Sequence, residues 1–187
     1  MKRNKTLFLK LLVLLPALFC GVLAGGSAAA EKKLSEAGED HIRAAMVIGI
    51  LRYTSWETDF GETLNICLVG SNDSFTHLEA LQDSRVVPSK VINVSRIANR
   101  KTASNSECQV LVVGAQAPME VRDSDFSQPC LLICDDCSDK KTDASVVLRK
   151  VKNRIRFDVD LDKAKTNRVK FRASMLELAA KVEGSNE

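Results

Sequence analysis

Histidine, proline and aromatic residues are scarce in this chain of 187 residues, which holds two His, four Pro, one Trp, one Tyr and seven Phe. Two histidines, His41 and His77, leave little material for general acid–base chemistry at neutral pH. No G-x-S-x-G, P-loop or G-x-G-x-x-G is present, so the phosphate cradles and nucleophile elbows that sequence motifs reveal are missing. Proline and glycine do not cluster, there is no internal repeat or low-complexity tract, and nothing marks a linker. Long apolar runs are also absent, with one exception at the amino terminus.

That exception is Leu11 to Leu23, preceded by Lys2, Arg3, Lys5 and Lys10 and followed by Gly25, Gly26, Ser27 and Ala28 to Ala30. Basic, apolar and then small residues in that order are the pattern of a secretory signal, with cleavage expected after Ala30. The apolar stretch is interrupted by Pro16, Cys20 and Gly21 and is short of the roughly 20 residues a spanning helix needs. An uncleaved anchor is the alternative. A lipoprotein attached at Cys20 is disfavoured by the bulky Phe19 before it. With residues 1–30 removed, 23 basic residues face 24 acidic ones, so the whole-chain charge of +3 becomes about −1. No basic excess is left to support nucleic-acid binding. The remaining residues 31–187 are the size of one domain and bury enough surface to fold without a metal.

The apolar pattern then gives the elements. From Glu31 to Tyr53, Leu34, Ala37, Ile42, Ala45, Met46, Gly49, Ile50 and Tyr53 recur at spacings of three to five, which predicts an amphipathic helix. Gly38 and Gly49 weaken it, so the helix is expected to start near Asp40, with Trp56 in a polar turn beyond its end. Thr63 to Val69, Lys90 to Val94, Gln109 to Val113 and Leu131 to Ile133 are short apolar strands, the first followed by a helix capped by Asn72 or Asp73 and running to Leu81. Such an order predicts a mainly parallel sheet covered on both faces. Ser145 to Leu148 and Arg154 to Val159 are close in sequence. In the second, Ile155, Phe157 and Val159 alternate with Arg154, Arg156 and Asp158, so an antiparallel hairpin with one wet face is expected. A closing helix is read from Arg172 to Val182, presenting Met175, Leu178, Ala179 and Val182.

Three segments together resemble the periplasmic YfiR-like family. They are IRAAMVIGILRYTSWE (Ile42 to Glu57), the strand pair ICLVG and CQVLVVG (Ile66 to Gly70, Cys108 to Gly114), and NRIRFDVDLDKAKTNRVKFRASMLELAAKV (Asn153 to Val182). Gly49, Ile50 and Glu57 depart from residues usual in the family. The resemblance implies a three-layer α/β/α sandwich, with a mainly parallel mixed sheet and an antiparallel C-terminal hairpin. It also implies export to the periplasm, a homodimer, and inhibition of an inner-membrane diguanylate cyclase through its periplasmic part, relieved when an OmpA-like outer-membrane lipoprotein sequesters the inhibitor. No cofactor or enzymatic activity is implied.

Five cysteines remain after Cys20. In an oxidising compartment they should pair, with one left over. Cys67 lies in one strand and Cys108 just before another. If the strands are neighbours the two can bridge, and the resemblance supports that pair. Cys130, Cys134 and Cys137 leave their pairing open. Cys134 and Cys137 form a C-x-x-C, the basis of an alternative reading as a thiol redox protein, but Asp135 and Asp136 between them should raise the thiol pKa rather than lower it. Zinc is a poor fit, since His41 and His77 are not at ligand spacing. Asp158, Asp160 and Asp162 read as a solvated face rather than a catalytic pair. A third reading is a small-ligand sensor near Gly70, Ser71 and Gly114, beyond the carboxyl ends of parallel strands. For partner binding the candidates are Tyr53, Trp56, Arg154, Arg156 and Asp158, with core packing the competing role for Trp56.

Overall fold

The computed structural model describes residues 27–98, 107–114, 117, 126–136 and 143–184, with side chains from residue 38 onward. The chain divides into two compact units, Met1–Glu36 and Ala37–Glu187. Of the first, only helical residues from Ser27 are described. The expected signal segment up to residue 26 lies outside the described residues, the expected cleavage site after Ala30 falls within the first helix, and no described helix is long and apolar enough to cross a membrane.

Helix α1, Ser27–Arg52, begins before the expected start at Asp40 and runs through Gly38 and Gly49. Packing of Ala44, Val47, Ile48, Ile50 and Leu51, all buried, outweighs the weak helical propensity of those glycines. After α1 the chain forms β1 (Thr54–Trp56), β2 (Thr63–Val69), α2 (Ser74–Glu79), β3 (Val91–Ile97), β4 (Val110–Val113), β5 (Leu131–Asp135), β6 (Val146–Val151) and β7 (Arg154–Asp160). It ends with α3 (Leu161–Thr166), β8 (Val169–Phe171), the single turn α4 (Ala173–Leu176) and β9 (Lys181–Glu183).

Seven strands form one mixed sheet in the order β3-β2-β4-β5-β6-β7-β9. The β3, β2, β4, β5 and β6 pairings are parallel, β6 and β7 are antiparallel, and β7 and β9 are again parallel. This is the α/β class expected. Every residue of β4 and of β5 is buried, the condition of central strands covered on both faces. Leu64, Ile66, Leu68, Val110, Val112, Leu131 and Ile133 face one core with α1 and α2. Cys67, Val69, Leu111, Val113, Leu132 and Cys134 face the other, and the third layer expected over that side falls in segments outside the described residues. The hairpin turns at Lys152 and Asn153, whose φ values of 47° and 61° make the two-residue loop whose twist matches the strands it joins.

Two expectations are corrected. Trp56 does not sit in a turn but in β1, which pairs antiparallel with β8 through Trp56↔Val169. The closing helix from Arg172 to Val182 is only the turn Ala173–Leu176, after which the chain extends and Val182 pairs with Val159. Leu and Ala favour helix, but the open edge of β7 offers backbone partners, beginning with Ala180 N–H donating to the Phe157 carbonyl at 2.8 Å.

Adjacency of β2 and β4 brings Cys67 and Cys108 together, and they form the expected disulfide, with α-carbons 5.8 Å apart across 41 residues of chain. The double variant Cys67→Ala, Cys108→Ala should lose about 3–4 kcal/mol of stability in the chain-entropy picture, to be measured by urea unfolding.

Candidate partner-binding groove

The apolar face of α1 is wider than the core can cover. Ile42, Met46, Gly49 and Tyr53 follow one another at helical spacing, so they share a face. Of these Ile42 is 52% and Tyr53 37% exposed, unusual for large apolar side chains. Met46, Gly49, Ile50 and Tyr53 form one wall of a groove of about 260 Å³, and Ile155, Arg156, Phe157, Met175 and Leu178 form the other. Leu178, just past α4, is 66% exposed. The groove exists because β9 pairs only with Asp158 to Asp160 of β7, leaving the first half of that strand uncovered where α4 and α1 approach it. Gly49 keeps the floor open, since a β-carbon there would meet nothing within 4 Å.

The structure separates the residues proposed for partner binding. Tyr53 and Arg156 both line the groove. Arg154 is exposed beside them, on the wet row of the hairpin, and neither Arg154 nor Arg156 has an ion-pair partner among the described residues. Asp158 is instead held by Arg149, whose Nε donates at 2.6 Å and Nη2 at 3.0 Å. Trp56 belongs with the core: its Nε1 donates to the Gln109 carbonyl at 2.9 Å and its ring meets Phe60 edge to face. Asp160 accepts from the Lys163 backbone N–H at 3.0 Å and caps α3, a structural role.

Sequence reasoning missed the group that fixes α1. Arg43 is 4% exposed and Asp135, at the end of β5, is fully buried. Arg43 Nη1 donates to Asp135 Oδ1 at 2.6 Å, and Ser74 Oγ, opening α2, donates to Asp135 Oδ2 at 2.7 Å. The other side of the guanidinium meets Glu39 at 2.9 Å, and Glu39 is bridged in turn by Lys150 of β6 at 2.5 Å. Burial raises the Asp135 carboxyl above its ordinary value, against the pull of Ser74 and Arg43. Burial also opposes the charge on Arg43, but the carboxylates of Asp135, Glu39 and Asp136 outweigh it and raise its pKa. The only sequence signal was two acids between cysteines and one Arg on an otherwise apolar helix stretch.

At the carboxyl ends of β2 and β4, where a small ligand was considered, the chain packs on itself. A β-carbon at Gly114 would lie 2.6 Å from the Ser71 carbonyl oxygen, and one at Gly70, where φ is +80°, 2.8 Å from Ala117 N. Those loops touch backbone to backbone. Cys134 is 1% exposed and disulfide-bonded, with its partner outside the described residues, as is Cys137. Cys130 is a buried thiol whose Sγ lies 4.0 Å from the Leu131 carbonyl oxygen. Burial of Cys134 denies it the accessibility a redox thiol needs.

The sequence profile of the YfiR/HmsC-like family matches residues 40–180. The chain belongs to the YfiR/HmsC-like family. That span takes in every strand of the sheet except β9, the Arg43, Asp135 and Ser74 contact, and both walls of the groove. The family is one of periplasmic regulators rather than catalysts. No curated protein matches the chain.

Because Arg43 and Asp135 are both out of water, removing one charge leaves the other uncompensated. Arg43→Met should therefore cost about 3–5 kcal/mol in urea unfolding, whereas Ser74→Ala, which removes one hydrogen bond to the same carboxylate, should cost about 1–3 kcal/mol.

Proposed function

We propose that this chain is exported by its first thirty residues and acts in the periplasm by binding the periplasmic part of a membrane diguanylate cyclase, holding it inactive and so limiting cyclic di-GMP synthesis. Family membership supports the regulatory class. The observation that carries binding as the mode of action is the groove between α1 and β7, where Tyr53 and Leu178 stay exposed beside Arg156. An apolar slot of this kind suits an apolar side chain presented by a protein partner. An OmpA-like outer-membrane lipoprotein competing for the inhibitor, and a homodimer as the working form, belong to the same proposal.

Leu178 is exposed, so Leu178→Asp should change stability by no more than about 0.5 kcal/mol while removing an apolar contact and placing a carboxylate in the slot. The expected result is a pull-down of the cyclase from the host's membranes by the oxidised wild-type protein and its loss with Leu178→Asp, accompanied by raised cyclic di-GMP in cells carrying the variant. Cys134→Ser separates the redox alternative: activity in insulin reduction that depends on Cys134, with no cyclase recovered, would replace the proposal. Trp56→Ala should lower the melting temperature, since its indole bonds the Gln109 carbonyl and packs on the core.

A further inference from the structure

The two histidines of the chain, 36 positions apart in sequence, meet in the fold. His41 stands on α1 and His77 near the end of α2, and their rings lie edge to face with centroids 5.2 Å apart. Two imidazoles bound to one tetrahedral ion, with metal–nitrogen bonds of about 2.0–2.1 Å, have ring centres about 5 Å apart. The centroid spacing equals that of a two-histidine chelate, which the pair would form once a nitrogen of each ring is turned toward a common point. His41 is exposed and His77 half-buried, so water and ions reach the pair and exposure leaves the His41 ring room to turn its nitrogen inward.

The surrounding charge is of the sign a cation needs. Asp40 adjoins His41 and Asp73 precedes α2. Each of these two acids lies within four positions of an imidazole along the chain. Among the described residues no three His, Cys, Asp or Glu side chains group closely enough to enclose an ion, so the acids supply field while the two rings supply the bonds. Water fills the remaining positions, as in open metal sites.

We propose that His41 and His77 form a surface site for a divalent transition-metal ion of the imidazole-preferring class, zinc, nickel or copper, which ties α1 to α2. The tie runs beside the one that Arg43, Asp135 and Ser74 already make between the same helices and the sheet. A bound ion thus stiffens the helix that forms one wall of the groove. This site does not depend on the cyclase proposal, since it is defined by metal binding alone.

The test uses the full chain, oxidised, purified without a histidine tag and stripped with EDTA. Ni²⁺ and Zn²⁺ are titrated by calorimetry and by thermal shift, with Mg²⁺ as the control. Wild type should bind Ni²⁺ and Zn²⁺ and melt at a higher temperature in their presence. His41→Gln and His77→Gln should each weaken binding at least tenfold, and the double variant should show no metal-dependent shift while melting like wild type without metal. Equal binding by wild type and the double variant, or no shift of wild type at millimolar Ni²⁺, overturns the site.

Discussion

Taking Arg43 and Asp135 out of water is costly for each alone, and the chain meets that cost by placing them 2.6 Å apart with Ser74 completing the carboxylate. Three elements are joined by that one contact: α1 by Arg43, the central strand β5 by Asp135, and α2 by Ser74. A hydrophobic face alone would let α1 slide along or roll on the sheet, because apolar packing is largely non-directional. A buried guanidinium–carboxylate pair has one geometry. Glu39 and Lys150 extend the tie to β6, so the carboxyl end of the sheet and the α1 turn above it are fixed together.

Everything the groove offers follows from where α1 is held. Met46 and Gly49 lie one to two turns beyond Arg43 on the same helix, with Tyr53 directly after its end, so a rotation at the ion pair would move all of them relative to Ile155 and Phe157. The opposite wall is set by a different constraint. β9 covers only part of the β7 edge, and the α4 turn that precedes it brings Met175 and Leu178 beside the uncovered part. The groove is the gap between a helix oriented by charge and a strand edge incompletely covered by the chain terminus.

The sheet itself was largely legible in the sequence, because strands buried on both faces announce themselves as continuous apolar runs closed by glycine or aspartate. Val110 to Val113 and Leu131 to Ile133 needed no knowledge of their neighbours, and the hairpin carried its own alternation. What the sequence hid depends on partners far away. Trp56 becomes a strand residue because Val169 is there to pair with it, and Val182 because β7 has a free edge. Arg43 and Asp135 are 92 residues apart, and neither has an unusual neighbourhood that would mark it for burial. The groove was half legible: Tyr53 and Arg156 were singled out, while Leu178, read on the apolar face of a closing helix, is left exposed where α4 stops short.

The cysteines show the same division between local and distant causes. Cys67 and Cys108 were expected as a pair on the family resemblance and on the condition that their strands be neighbours, which β2 and β4 are. Cys134 is different, since its surroundings decide its chemistry. It precedes Asp135 in β5, is buried with its neighbours on the second face of the sheet, and is already in a disulfide. A C-x-x-C on an exposed helix start, near positive charge, is built to exchange. Here Cys134 lies in a buried strand, beside the carboxylate that anchors α1. Direct attack on the Cys134 sulfur would have to reach into β5, the strand on which the central ion pair rests. The burial that surrounds the ion pair therefore also keeps the Cys134 sulfur away from reagents in solution.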